Sequence, residues 1–366
     1  CFSRVSFRKT NLNSNEETKD FLLSLGWEPL EWNTNDEGVR TSPKLSKDDP
    51  FEGINGALGR LVARRVQCRQ RKSIIEGWLE IVRPDGRIAS SVANLAETGR
   101  ATHRGIVNVP GAKSFYGKQM RQTYVAAAGK VLVGTDSDSC QIRMLCGRMN
   151  DPVYTDNVLN GKKEDGTDIH SVNMRAAGLS TRDESKTFFY GFLFGAGDAK
   201  VGKIVKGTSS DGRRLKEQFL SGLPALGALM ERLVKEWRSN AKQRFNPKFN
   251  RMEYFDGWIT GLDGRPIYVS SEHAILVYLL QSDEAIMMSK AYCLLCERLA
   301  AKYEYGRQWG VVCWYHDEYT IECDEDIAQD VKTISEQCIV DAALFYNIPC
   351  PHVGDGKIGK DWYAIH

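Results

Sequence analysis

The sequence predicts an α+β protein, and three observations carry that reading. A short apolar strand, Val131 to Thr135, ends at Asp136 and leads directly into a helix with Ile142, Leu145, Cys146 and Met149 at i, i+3, i+4 and i+7. A long block from Arg182 onward has helical spacing and opens on the capping box Thr181-x-x-Glu184. Near the C-terminus, Val311 to Tyr315 and Tyr319 to Cys323 read as two strands joined at His316-Asp317.

Composition narrows the class. The chain has 366 residues, enough for two or three subdomains around a large core. With 42% hydrophobic and 26% charged residues it reads as globular and not disordered. No run reaches the ~18 consecutive apolar residues of a membrane span, and no basic-then-apolar leader opens the chain. The expected location is cytoplasmic (the host cytoplasm if the chain is viral), with no membrane partner. A net charge of +2 does not decide for or against nucleic acid, because acidic metal ligands beside basic strand-binding walls cancel. The ten cysteines are scattered, as in a reducing compartment. Cys293-x-x-Cys296 lies in an apolar helical pattern and reads as core packing, since no partner pair has metal-site spacing. The chain opens on Cys1, which reads as a fragment, a processed product or half of a split gene.

The remaining elements follow in order. Residues 1–90 read as mostly helical. Ser14-x-x-Glu17 starts a helix with Phe21, Leu22 and Leu25 on one stripe, and Gly26 closes it. A second helix from Ile54 to Trp78 carries Arg60, Arg64, Arg65, Arg69, Arg71 and Lys72. That face is either solvated or lies along phosphates. Trp78 to Ile88 reads as a hairpin turning at Pro84-Asp85-Gly86. Residues 151–180 read as loop-rich, 182–275 as a helical block ending near Asn246-Pro247 followed by Gly-rich turns, and the last ~90 as helix, hairpin and helix. There is no internal repeat.

The chemistry is concentrated in three segments: Gly134 to Gln141, Arg182 to Gly195, and Tyr315 to Glu318. Asp136 and Asp317 both project from strand ends, where two carboxylates can hold a pair of Mg²⁺ ions about 3.5–4 Å apart. Such a pair activates a 3′-hydroxyl and neutralises a triphosphate, with Mn²⁺ as a substitute. Arg182, Lys186, Tyr190 and Phe194 are spaced by four along one helical face. The cations lie in the first turns, where the dipole favours anions, so a triphosphate would be gripped there with Tyr190 and Phe194 against sugar and base. A lone Asp in a turn is ordinarily a turn former, and a lone helix of this kind an amphipathic surface helix. Their order and spacing together favour nucleotidyl transfer.

On these residues the sequence resembles the family A DNA polymerases, most of all their bacteriophage branch. The resemblance includes Phe7 to Trp27, Thr98-Gly99-Arg100-Ala101-Thr102-His103, Asp168-Ile169-His170, Lys186 to Leu193, Gly261-Leu262-Asp263-Gly264-Arg265, Leu280-Gln281-Ser282 and Trp362 to His366, almost the whole chain. It implies a right hand with an antiparallel-sheet palm, helical fingers and a partial helical thumb. The expected bounds are thumb 1–90, palm 91–150 and 276–366, and fingers 151–275. It further implies Asp136 and Asp317 as metal ligands, the Ser137 carbonyl assisting, and Glu318 nearby as a catalytic carboxylate. His170, Arg182 and Lys186 would contact the triphosphate; Arg100, Gln281 and His316 the primer terminus and minor groove, with Asn108 standing in for a glutamine there. Tyr190 stands where a tyrosine goes with poor rejection of dideoxynucleotides. The implied partners are primer-template DNA and dNTPs; since no carboxylate-rich exonuclease domain fits in this chain upstream, an exonuclease or N-terminal part is expected either on missing sequence or as a separate polypeptide, and a processivity factor is a further candidate partner.

The sequence also departs from that family. Gln141 stands where it usually has Glu, Phe194 where it usually has Tyr, and Val277 where it usually has Asn. Arg104 to Pro110 is shorter than the usual minor-groove loop. Gln141 and Phe194 read either as a sugar gate that keeps its bulk with altered electrostatics, and so excludes ribonucleotides less well, or as neutral drift in a pair that still packs. Two rival readings are a single-subunit RNA polymerase, disfavoured by the bulky Gln141, and a catalytically incomplete DNA-binding fragment.

Overall fold

The computed structural model describes residues 9–35, 39–45, 51–106, 109–247 and 250–366. Asn108 lies outside the described residues. The chain divides into two compact units, residues 1–89 with 108–118, and residues 90–107 with 119–366.

The first unit contains helix α1 (Asn15–Ser24), a two-stranded sheet of β1 (Trp32–Thr34) and β2 (Arg40–Pro43), and helix α2 (Gly56–Ile81). Ser14 caps α1 by accepting from the Glu17 N–H, and the Glu17 carboxylate accepts from the Asn11 N–H. Leu22, Trp27, Phe51, Val62 and Ala63 form a small core of their own. The cations of α2 do not form one free face. Arg65 and Arg69 donate to the Leu12 carbonyl, Arg71 is buried and donates to the Phe115 carbonyl, and Arg64 lies 3.8 Å over the Phe115 ring. The segment expected as a hairpin continues α2 to Ile81, and only a tight turn at Arg83–Arg87 remains. Helical hydrogen bonding carries on past Trp78 because no breaker precedes Pro84.

In the second unit, β3 (Ser91–Leu95) and β4 (Ala101–Arg104) form a hairpin, α3 (Gly117–Arg121) crosses the unit boundary, and β5 (Lys130–Ser137) leads into α4 (Cys140–Met149). Residues 151–180, expected as loop, hold two helices, α5 (Pro152–Asn160) and α6 (Ile169–Ala177). Asp151 caps α5 ahead of a proline at its first position, and Asp168 caps α6, which Gly178 closes at φ +66°. Then come α7 (Arg182–Leu193), α8 (Asp198–Ile204), α9 (Ser209–Gly222) and α10 (Pro224–Asn240). The helical block ends at Asn240, earlier than expected. Residues 242–246 form β6 (Lys242–Asn246), paired with β7 (Arg251–Phe255), and β8 (Gly257–Thr260) pairs with β9 (Pro266–Val269).

The final segment supplies α11 (Ile275–Ala300), the hairpin β10 (Trp309–Tyr315) and β11 (Glu318–Asp324), α12 (Ala328–Phe345), and a strand the sequence reading missed, β12 (Gly354–Gly359). α11 is apolar around most of its circumference because it runs through the core, where Leu279, Met287, Met288, Leu295 and Leu299 have no exposed surface. Cys293, expected in that core, faces outward and is exposed, while Cys296 is half-buried.

The central sheet has the order β10-β11-β5-β12, all antiparallel. β5 is interior and hydrophobic at successive positions, as a strand covered on both faces requires. α12 covers one face: Thr135 and Ser335 share a buried hydroxyl hydrogen bond of 2.6 Å, the Tyr319 hydroxyl donates to the Ser335 carbonyl, and the Gly356 N–H donates to Glu336. Gly354 is required by this packing, since a Cβ there would lie 2.7 Å from the Cα of Glu336. Gly354→Ala is therefore expected to destabilise the fold by roughly 1–3 kcal/mol, through overpacking of backbone against backbone. A melting temperature equal to that of the parent would refute this account of the β12–α12 contact.

Candidate nucleotidyl-transfer site

The site is built at one end of the central sheet. Backbone register puts Asp136 of β5 opposite Glu318 of β11 on one side and Asp355 of β12 on the other. The β10–β11 turn adds Asp317, whose carbonyl accepts from the Ser137 N–H at 3.0 Å, so the two expected carboxylates stand on adjoining strand ends. His316, in the same turn, has φ +59°, a left-handed conformation in which His is enriched among non-glycine residues. Trp314 braces the turn by donating to the His316 carbonyl and stacking on Tyr292, with ring centroids 4.9 Å apart.

Like charges make this end electrostatically unfavourable on its own. Partial burial pushes the Asp136 carboxyl up, and the charges of Asp317, Glu318, Asp138 and Asp355 add to that, placing its pKa at about 7. The Asp317 carboxyl is also raised, mainly by burial, and Arg100 opposes that rise. Among the described residues no Lys or Arg forms an ion pair with either carboxylate, and no group of three or more His, Cys, Asp or Glu side chains forms a complete metal cage. A donor set of two carboxylates suits Mg²⁺, which keeps waters and substrate phosphates in its shell and seldom takes an all-protein cage. Glu318 pairs with His366, whose Nε2 lies 2.8 Å from its carboxylate.

Helix α7 supplies the cationic side. Its capping box is complete, so it starts at Arg182. Arg182 is engaged within the fold: its guanidinium donates from Nε and Nη2 to Asp168, at 3.0 and 2.8 Å. Burial alone would raise the Asp168 carboxyl. Hydrogen bonds from Arg182, Ser171 and the His170 N–H outweigh it, and the pKa falls to about 2. His170 is buried, its Nδ1 has no hydrogen-bond partner, and burial followed by the charges of Arg182 and Lys186 lowers its pKa, so its ring is kept neutral. Lys186 is exposed beside this group. Tyr190 lies 6.0 Å from the His170 ring and feels the charge of Asp138, which links α7 to the acidic strand end. Phe194 caps the helix, is 52% exposed, and is near-parallel to Tyr190 at 6.4 Å.

The expected primer-side residues are less uniform. Arg100 precedes β4 and its Nη2 donates to both oxygens of Glu284, at 2.5 and 2.6 Å. His316 is neutral, its pKa lowered to about 4 by burial and by the charges of Arg100 and His103. Gln281 is half-buried on α11, three residues before Glu284. Gln141 has a partner the sequence reading lacked: its Nε2 donates to Glu284 at 2.9 Å. The sequence reading also missed Glu284, Asp355 and His366. Asp355 had no signal, since its strand is glycine-rich. Glu284 carried a weak one, an acidic pair (Asp283-Glu284) inside an otherwise apolar helix.

A carboxyl whose pKa is higher in the folded than in the unfolded chain favours folding at low pH, and that contribution is lost as pH rises from about 4 to about 7. In metal-free buffer Asp136→Asn is expected to raise the melting temperature at pH 8 and to leave it unchanged at pH 4. Added Mg²⁺ is expected to raise the melting temperature of the parent at pH 8 but not that of the variant. A variant no more stable than the parent at pH 8 would show that the carboxylates do not repel as described.

The chain is 33% identical to the DNA-directed DNA polymerase of Escherichia phage T7 and 32% identical to that of Enterobacteria phage T3, over 97% of this chain and 53% of each relative. It thus spans about half the length of these curated relatives. Among solved structures it is similar to the POL domain of Pol1 from M. smegmatis, in complex with DNA primer-template and dNTP. That likeness has a TM-score of 0.74 and 19% identity, over 97% of this chain and 62% of the other, and establishes the right-hand polymerase fold. The model of DNA polymerase family A matches residues 2–364, and with the phage relatives above 30% identity the chain belongs to that family.

Proposed function

We propose that this chain extends a DNA primer on a template, joining the primer 3′-hydroxyl to the α-phosphate of a dNTP with release of pyrophosphate, in phage DNA replication. The observation that carries this reading is the backbone bond from Ser137 to Asp317, which joins two carboxylate-bearing strand ends. Asp136, Asp317 and the Ser137 carbonyl would hold two Mg²⁺ ions, with Glu318 beside them. When bound, these would lower the pKa of the 3′-hydroxyl and neutralise the triphosphate and its leaving group.

The chain's own residues supply grip and orientation. Lys186, with Arg182 and the neutral His170, receives the triphosphate at the helix N-terminus. Arg182 is pre-positioned by Asp168, so it meets the phosphates without first being ordered. Tyr190 and Phe194 face sugar and base, and Gln141 supplies bulk at the sugar. Arg100, Gln281 and His316, with Asn108, contact the primer end and minor groove. In this reading residues 91–150 and 276–366 are the palm, 151–275 the fingers and 1–90 part of a thumb. An exonuclease would lie either on sequence beyond these residues or on a separate polypeptide, and a processivity factor would be a further partner. No helix among the described residues is long and apolar enough to cross a membrane.

Primer extension with Mg²⁺ tests the reading. Asp317→Ala is expected to abolish dNTP incorporation, by roughly a thousandfold or more. Lys186→Ala is expected to weaken dNTP use about 10- to 100-fold, as loss of a charged hydrogen bond predicts, mainly through KM. Extension that survives Asp317→Ala would overturn the assignment of Asp317 to the reacting metal ions, and primer-template binding without extension by the parent would replace this reading with that of a DNA-binding fragment.

A further inference from the structure

Glu284 is fully buried on α11, and both of its carboxylate oxygens are engaged. Arg100 donates to Oε1 at 2.5 Å and to Oε2 at 2.6 Å, and Gln141 donates to Oε2 at 2.9 Å. A buried carboxylate is costly unless paired and fully hydrogen-bonded, and here it is both. The two donors come from different parts of the site. Gln141 sits in the first turn of α4, five residues beyond Asp136. Arg100 precedes β4, and its charge is felt by both Asp317 and His316.

We propose that Glu284 is a positioning residue, one buried carboxylate that fixes Gln141 at the sugar of the incoming nucleotide and Arg100 at the primer end. This rests on the polymerase reading above. It accounts for an amide at position 141, since a carboxylate there would stand within hydrogen-bonding distance of a second, buried carboxylate. It also fixes the amide's orientation. Nε2 is committed to Glu284, so the rotamer is locked and the bulk of Gln141 cannot swing away from the sugar. Freeing Gln141 relaxes exclusion of a 2′-hydroxyl, and freeing Arg100 relaxes sensing of the primer terminus.

The neighbouring residue provides an internal control. Asp283 is equally buried and is held bidentately by Arg148 of α4, at 2.6 and 2.7 Å, but touches neither Gln141 nor Arg100. It pins α4 to α11 and also accepts from the Leu262 backbone N–H. Primer extension with dNTPs and rNTPs, on matched and mismatched primer ends, is to be compared for the parent, Asp283→Asn, Glu284→Gln and the exchange Gln141→Glu/Glu284→Gln, with melting curves for each. Glu284→Gln is expected to lower dNTP-over-rNTP selectivity about tenfold or more, the loss expected for a charged hydrogen bond, and to reduce discrimination against mismatched ends. Asp283→Asn is expected to lower the melting temperature while leaving both ratios unchanged. The exchange restores a carboxylate–amide bond between the two positions and is expected to recover sugar selectivity to within about threefold.

Selectivity unchanged in Glu284→Gln, or lost equally in Asp283→Asn, would overturn the proposal in favour of a plain helix–helix pin. A folded exchange variant as unselective as Glu284→Gln would also overturn it. A parent that does not extend with dNTPs overturns the polymerase reading and this proposal together, whereas a parent that extends while Glu284→Gln behaves like it overturns only the latter.

Discussion

The antiparallel ladder along β5 is the constraint on which the site depends. Residues 130–136 pair with β11 and residues 132–137 with β12, so Asp136 has a carboxylate-bearing residue opposite it on each side. Side-chain repulsion alone would drive these groups apart. The ladder holds them because each backbone hydrogen bond is satisfied internally and the strand is covered by α12. Fold stability is thus used to maintain an unfavourable concentration of negative charge, which a divalent cation can relieve.

The same logic recurs around the sheet end in milder form. Four arginines near the site have fixed partners: Arg182 with Asp168, Arg148 with Asp283, Arg100 with Glu284, Arg143 with Asp138. These pairs orient guanidinium groups before any substrate arrives, which lowers the ordering cost at the moment of binding. The histidines follow the opposite rule. Burial and neighbouring cations keep His170 and His316 neutral, so near pH 7 they offer ring nitrogens for hydrogen bonding without adding charge.

Much of this was legible from residue order. Thr181-x-x-Glu184 marks the start of α7 because capping is a local interaction of four residues. Asp136 and Asp317 could be placed at strand ends because apolar runs flank them and the periodicity switches there. The helices α5 and α6 were legible too, from Asp151-Pro152 and from Asp168 with Gly178, but they are short and weakly apolar, and the glycines and lysines between them read as loop. The basic stripe on α2 was only partly legible for a different reason: sequence gives the spacing of cations, not the carbonyls and rings that Arg65, Arg71 and Arg64 reach.

The sequence by itself determined the fold class, the two strand-end carboxylates proposed as metal ligands, the helix carrying Arg182 and Lys186, and the family. These depend on caps, periodicity and motifs, all of which act over a few residues. The tertiary structure alone decided what those residues face. β12 is rich in glycine because α12 lies against it, so it carries no apolar alternation to betray a strand. Glu284 meets Gln141 and Arg100 across 143 and 184 residues of chain. That contact exists only because α11, α4 and the segment before β4 converge, and whether a buried carboxylate is tolerable depends on partners that sequence spacing does not specify.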